Sequence, residues 1–442
     1  MEPRANWAGN VRFRAASVHR PASVAEVQQI VARSPRVRAL GTGHSFSPVA
    51  DTTGDLVSLA GLPPVIEVDT LRRRVSVSAG LRYTDLARRL NAAGLALANL
   101  ASLPHISVAG AVATATHGSG DANQCLASAV CGLELVTGGG DLITVTRDAD
   151  PSRFPGMVVA LGALGIVTRL TLDAGPAFRI GQWVQEDVPF DAVTASFAEI
   201  MAAAYSVSIF TDWNDQRLAV IWLKRAVLTD PQLTDPQLTG PQLTDPQPAD
   251  PQPADPPAEG WLGGRLADGP RHPVPGQPAD ATTPQGGRPG PWHERLPHFR
   301  PDSTPSAGNE LQSEFLLARS HAVPALAALD AMRAELAPVV QVSEVRSVAA
   351  DDLWLSPFYQ RDSVGLHFTW VADAGAVAPV LARVEAALAP FAPRPHWGKI
   401  STIAAGTVAG RYPRLDDFRS LAAEYDAAAS FRNEMVDDYV FA

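Results

Sequence analysis

Between Pro104 and Gly120 the chain reads Pro104-His105-Ile106-Ser107-Val108-Ala109-Gly110-Ala111-Val112-Ala113-Thr114-Ala115-Thr116-His117-Gly118-Ser119-Gly120, mostly small side chains and hydroxyls. Nothing in such a run can fill a core, so its backbone is brought close to something large. Some sixty positions earlier stands a second cluster, Gly41-Thr42-Gly43-His44-Ser45, directly after the strand-like Val37–Leu40. A strand entering paired glycines carries backbone amides toward a phosphate. The cluster fails the dinucleotide fingerprint, because Phe46 stands where the third glycine belongs and Pro48 discourages an immediate helix. Taken singly, either cluster reads as an irregular loop and His44 as a polar turn residue. Two such clusters in one chain make that reading harder to hold.

A chain of 442 residues is too long for one ordinary core, and two domains are expected. With 46% apolar and 19% charged residues the composition is that of a globular enzyme. Lys and Arg number 36 against 46 Asp and Glu, a formal charge of −10, which argues against a nucleic-acid partner. The two cysteines, Cys125 and Cys131, form neither a C-x-x-C pair nor a zinc pattern, and two free thiols fit a reducing cytosol. The opening MEPRANWAGN lacks a signal pattern. The longest apolar stretch, around Met157 to Val167, falls short of the roughly 20 residues of a membrane helix. A cytoplasmic protein with no membrane partner is expected.

Ser23-Val24-Ala25-Glu26 has capping-box form, and Val24, Val27, Ile30 and Val31 share one face, which predicts a helix over 24–34. Strands are expected at 37–40, 56–59, 65–68 and 75–79, a helix over 84–93 stopped by Gly94, and a hairpin around Gly138-Gly139-Gly140-Asp141. From Asp230 to Pro257 a Pro-rich pentapeptide stutters (DPQLT, GPQLT, DPQPA), and Pro- and Gly-rich sequence continues to about Ser306. Such a segment cannot pair as a central strand, and a surface insertion over 228–306 is expected. Order resumes as strand 311–318, helix 323–336, strands 340–348 and 364–371, and helix 377–388. A last strand near Lys399–Ile403 would complete a split β-α-β-β-α-β unit. The chain is expected to divide near Ala174 into a first domain (1–174) and a second (175–400), with the tail (401–442) returning to the first. The class is α+β.

Glu344 and Arg346 are two apart on one strand, as are His367 and Thr369 on the next, so each pair points to one side of the sheet. Two readings remain: a solvated face with a routine ion pair, or a pocket built to hold hydroxyl groups. Burying acid and guanidinium demands that they be paired.

Asn6-Trp7-Ala8-Gly9-Asn10, Gly41–Ser45, Ala101-Ser102-Leu103-Pro104-His105-Ile106-Ser107, Thr116-His117-Gly118-Ser119-Gly120, Phe210-Thr211-Asp212-Trp213, Pro291-Trp292-His293-Glu294-Arg295-Leu296-Pro297 and His396-Trp397-Gly398-Lys399 together resemble the vanillyl-alcohol-oxidase family of FAD-linked oxidases. The nearest likeness is to its alditol (xylitol) oxidases, with sugar-1,4-lactone oxidases as neighbours. The resemblance implies a two-domain flavoprotein with a ferredoxin-like substrate domain. It implies FAD bound covalently through His44, with the backbone of Ala39, Leu40, Gly41, Thr42, Gly43, His44 and Ser45 around the pyrophosphate. Ser102, Ser107, Gly110, Thr114, Ala115, Thr116 and His117 would line the remainder, with Gly165 and Ile166 near the adenine. Ala115 stands where the family usually carries glycine. The resemblance further assigns substrate hydroxyls to Ser102, Glu344, Arg346 and Thr369, with His367 beside them, and catalysis to Lys399 with Arg346 and Glu344. The expected partners are a small polyol and O2. The alternatives are a sugar-lactone oxidase or dehydrogenase, and a flavin-loaded polyol-binding module without turnover.

Overall fold

The computed structural model of the protein describes residues 5–227, 255–303 and 310–442. Most of the pentapeptide repeat, 228–254, lies outside the described residues.

The first part of the chain carries two sheets. Strands β1 (Ser17–His19), β2 (Val37–Leu40) and β3 (Asp55–Ser58) form a parallel sheet in the order β1-β3-β2. Helix α1 (Val24–Arg33) starts where expected: the Ser23 hydroxyl accepts from Glu26 N at 3.2 Å, and the Glu26 carboxylate accepts from Ala22 N at 2.8 Å. A cap of this kind contributes about 1 kcal/mol. Strands β4 (Ile66–Asp69) and β5 (Arg74–Ser78) precede helix α2 (Tyr83–Ala92), which ends against Gly94 at φ +72°. The Pro104–Gly120 run contains one short helix, α3 (Val108–Ala113). The hairpin of β6 (Val130–Val136) and β7 (Leu142–Thr146), with β8 (Ile166–Asp173), completes an antiparallel sheet ordered β4-β5-β8-β6-β7.

A nine-stranded sheet dominates the rest. Strand β9 (Arg179–Pro189), helices α4 (Phe190–Ala195) and α5 (Phe197–Ala202), and strands β10 (Ser206–Thr211) and β11 (Leu218–Val227) make one unit. Strand β12 (Glu310–Ala318), helix α6 (Ala322–Asp330), strands β13 (Val340–Val348) and β14 (Ser363–Val371) and helix α7 (Ala374–Leu388) make a second. The order β9-β11-β10-β13-β14-β12 sets the units head to head through β10 and β13, every pairing antiparallel. The second unit is the split arrangement expected from the sequence; the first, built the same way, was not foreseen.

Two expectations are corrected. The fourth strand of the second unit is Arg394–Pro395, beside β12, and not Lys399–Ile403. Around Lys399 the backbone is shared: Ile400 N still donates to Gln312 O on β12 at 2.9 Å, but Gly398 O accepts from Phe46 N at 2.7 Å and Trp397 O from the Ser47 hydroxyl at 2.6 Å. The described residues 255–303 are no loose surface insertion, since Trp292 is wholly buried and Thr283, Leu296 and His298 nearly so. Among the described residues, Ala374–Phe391 is the one helix apolar and long enough to cross a membrane by length and composition, though Arg383 and Glu385 interrupt it. Its large side chains (Val377, Val380, Leu381, Val384, Leu388) are buried on one side against Leu366, Phe368 and Trp370, the pattern of a one-faced core helix.

The nine-stranded sheet therefore has two different faces. Val364, Leu366, Phe368 and Trp370 alternate toward the helices, and residues 365, 367 and 369 toward the other side. The tail returns to the first part: helix α8 (Leu415–Tyr425) sends Leu415, Phe418 and Leu421 into the first core. Val37 N donates to Ser430 O at 2.8 Å, and Asn433 Nδ2 donates to Pro48 O and Asp51 O at 3.0 and 2.8 Å.

Candidate active site

One cavity runs from the loop after β2 to the helix-free face of the large sheet. Its near wall is the Gly41–Ser45 loop, strapped from outside by the N-terminal segment. Asn6 Nδ2 donates to Ser45 O at 2.8 Å, Asn10 Nδ2 to Phe46 O at 2.9 Å, and Trp7 N to Gly43 O at 2.8 Å. Gly43 sits at φ +70°, which a side chain would disfavour. Thr42 Oγ1 accepts from Ser107 N at 3.2 Å and lies 2.9 Å from His44 Nδ1, so one hydroxyl ties the two small-residue clusters together. Ser107 is packed between glycines: a Cβ on Gly41 or Gly110 would come within 2.3 or 2.7 Å of its Oγ. Among the described residues, the backbone amides of Thr42 to Ser45 have no protein acceptor. A row of unspent N–H groups on a glycine-lined wall fits an anionic pyrophosphate.

His44 stacks on Trp7 with ring centroids 5.6 Å apart and planes 19° from parallel. Burial, with His105, Arg82 and Lys399 nearby, pushes its pKa down to about 4, so the imidazole is neutral with a lone pair available for bonding to carbon.

The far wall is the sheet face. In register across it lie Phe210 on β10, Glu344 on β13, His367 on β14 and Glu314 on β12. Arg346 Nη2 reaches diagonally over Gly365 to Glu314 Oε1 at 2.5 Å, and its Nε lies 3.6 Å from Glu344 Oε2. A Cβ at Gly365 would stand 3.2 Å from Glu314 Oε1, so glycine keeps that lane open. Arg346 is thus held between two buried carboxylates, which keeps its pKa up and holds both acids below the usual carboxylate range. Glu344 Oε1 is taken by His298 Nε2 at 2.8 Å, while its Oε2 has no hydrogen bond among the described residues. The hydroxyls of Ser102 and Thr369, on the same cavity, likewise bond to no described residue.

Lys399 reaches the cavity from the loop after Arg394–Pro395. Its Nζ donates to Gln312 Oε1, lies 3.4 Å from His367 Nε2 and sits 5.3 Å over the Phe46 ring. Burial, abetted by Arg346, lowers the amine to about 8 against the pull of Glu314. His117, Glu314 and His396 converge in a grouping that could be mistaken for a metal site, with ligand atoms within 4.8 Å. The charge of Glu314 is already met there by Arg346.

Two family models match, one described as FAD binding domain over residues 15–146 and one as D-arabinono-1,4-lactone oxidase over 309–439. An alditol oxidase from Streptomyces sp. is 49% identical over 436 residues, spanning 98% of each chain. The chain belongs to the vanillyl-alcohol-oxidase family of FAD-linked oxidases. An L-gulono-1,4-lactone dehydrogenase from Mycobacterium tuberculosis is 28% identical over 97% of each chain. A cholesterol oxidase from B. sterolicum shares the fold at a TM-score of 0.75 and 15% identity, covering 99% of this chain and 96% of that one. The cofactor of this family member is FAD.

Of the residues singled out in the sequence, Ala39 to Ser45, Ser102, Ser107, Gly110, Thr114, Thr116, His117, Gly165, Glu344, Arg346, His367, Thr369 and Lys399 all line this one cavity. Ala115 and Ile166 do not: both are wholly buried behind the wall. Residues that sequence reasoning missed are Gln312 and Glu314 on β12, and the pair Lys224 and His298. Glu310, Gln312 and Glu314 alternate along β12 as Glu344 and Arg346 do along β13, so that signal was present; His298 follows the Pro291–Pro297 motif with nothing to mark it.

Proposed function

We propose that the chain oxidises the terminal primary hydroxyl of alditols such as xylitol and sorbitol to the aldose. The observation that carries this reading is the open acceptor on Glu344, with Arg346, Thr369, Ser102 and Lys399, on one cavity with the glycine-lined loop. Acceptor and donor groups set close together suit a chain of hydroxyls, each of which both gives and takes a hydrogen bond. FAD, when bound, would supply the hydride acceptor, with O2 as the expected final acceptor and hydrogen peroxide as its product. The Ala39–Ser45 loop would hold the pyrophosphate, Ser107, Gly110, Thr114, Thr116 and His117 the rest, and Gly165 the adenine end, with His44 the covalent tether.

Removing hydride from a carbinol requires its hydroxyl proton to leave. Lys399, half-buried and with a lowered pKa, is the group to take it. Arg346 steadies negative charge developing on that oxygen. Glu344 Oε2, Ser102 and Thr369 hold the neighbouring hydroxyls, and His367 keeps Lys399 on the cavity side. The same reading assigns 1–174 and the 401–442 return to cofactor binding and 175–400 to substrate, in a cytoplasmic enzyme whose two cysteines are free.

Sugar 1,4-lactones are the second reading, favoured by the description of the family model over 309–439. Anaerobic addition of xylitol to the yellow protein decides between them. Bleaching of the flavin band, with recovery and peroxide on admitting air, is the expected result. Turnover of a 1,4-lactone with none of xylitol or sorbitol would reverse the order.

A further inference from the structure

Lys224 lies on β11, two strands from Glu344 on the same sheet face, and is 1% exposed. Its Nζ donates to Leu296 O, to Pro297 O at 3.3 Å, and to His298 Nδ1 at 3.1 Å. Burial lowers Lys224 to about 7 against the pull of Glu344, and in either protonation state the amine keeps N–H groups to donate to these partners. His298 is boxed by Trp222 and Phe210, with ring centroids 5.1 and 5.6 Å away, and its backbone N donates to Ser102 O at 3.1 Å. Burial and Lys224 keep its ring neutral, with a pKa near 4. The ionised Glu344 can only accept, so the neutral ring carries its proton on Nε2, pointing at Glu344 Oε1 at 2.8 Å, and leaves Nδ1 to accept from Lys224. The donor and acceptor roles of His298 on the path from Lys224 to Glu344 are thereby set.

We propose that Lys224 and His298 are positioning residues for the polyol site, a relay that fixes one oxygen of Glu344 as acceptor for His298 and so presents the other, with no donor of its own, to a substrate hydroxyl. The proposal rests on the alditol reading above. It also gives the 255–303 segment a purpose, since the turn at Trp292–Glu294 and the clasp of Thr283 N on His298 O at 2.9 Å deliver the imidazole over the sheet. The relay touches hydroxyl binding and not the reacting carbon, so it governs affinity more than the chemical step.

The test uses FAD-loaded holoenzyme and xylitol, with KM from steady-state turnover and the limiting rate of flavin reduction from anaerobic single turnovers. His298→Leu is expected to raise KM about tenfold or more while the limiting reduction rate stays within about threefold. His298→Gln, whose side-chain amide supplies the same N–H without needing Lys224 to set it, is expected to return KM to within about threefold of the parent. Lys224→Met is expected to raise KM as well, and the double variant with His298→Leu to be no worse than His298→Leu alone, because Lys224 acts through His298. A Gln variant as poor as the Leu variant, losses confined to the reduction rate, or KM effects that multiply in the double variant would each overturn the relay. Should Lys224→Met not fold, the Leu and Gln variants at 298 still decide. Failure of the parent enzyme to be reduced by xylitol would be a different result: it sinks the alditol reading, and the relay with it.

Discussion

An amine that is to take a proton from a carbinol must first give up its own. At Lys399 burial and Arg346 press toward the free base while Glu314, Glu310 and Glu344 oppose, and the balance falls at about 8. Below that pH the ammonium donates to Gln312 and cannot accept; above it the lone pair is available. Flavin reduction by alditol is therefore expected to speed up as pH rises through about 8 and then level off, the sign that a base of lowered pKa requires. Lys399→Met is expected to cut the reduction rate by roughly 10²- to 10⁴-fold and to abolish that rise. A variant with near-normal reduction would remove Lys399 from the chemistry and leave Arg346 to be examined. His367 has no such pH role, because burial and Lys399 hold it down to about 3 and it stays a neutral partner throughout.

Short-range periodicity reaches some elements of this fold and not others. Ala115 shows how far an element can be reasoned from its own residues: it follows α3 at φ +54°, in the left-handed region where a Cβ is disfavoured. Ala115→Gly relieves that strain, about 1–2 kcal/mol, but returns part of it as added freedom of the unfolded chain, so a net gain of about 1 kcal/mol or less is expected, seen as a small rise in Tm. A fall in Tm would mean that the methyl's packing outweighs the strain. The strands carrying Glu344, Arg346, His367 and Thr369 were legible because a period of two decides facing without any tertiary knowledge. The pairing of Arg346 with Glu314 was not, since it depends on which strand lies beside β14 and on Gly365 leaving room. The strand expected at 399–403 failed because Ile400 and Ile403, three apart, pack a loop whose preceding carbonyls, on Trp397 and Gly398, bind Ser47 and Phe46 beside the His44 loop. The 255–303 segment misled for a related reason: Pro and Gly exclude regular elements, but they do not prevent a chain from being buried when its backbone groups find partners such as Lys224, Thr283 and Ser102.

At the scale of the whole molecule, the two small-residue clusters, the sheet face and the His396–Lys399 loop all border a single cavity, so whatever fills it binds distant parts of the chain at once. The unspent amides of Thr42 to Ser45 and the neutral His44 form its near wall, and this stretch is braced by Asn6 and Asn10 from one end of the chain and by Gly398 from the other. A cofactor held there stabilises the folded state by mass action unless it is covalently attached, in which case free cofactor can add nothing. The parent protein is accordingly expected to keep its yellow colour in the pellet after acid precipitation and to melt at a temperature independent of added FAD. His44→Ala is expected to release the colour to the supernatant and to gain stability with free FAD, about 2.7 kcal/mol at a hundredfold excess over Kd. The comparison separates the tether from the cradle. If the parent too releases its flavin, His44 is not the link, while the amide cradle stands. If His44→Ala neither holds FAD nor responds to it, the imidazole does more than anchor, and the stack on Trp7 and the contact with Thr42 become part of what shapes the loop for the pyrophosphate.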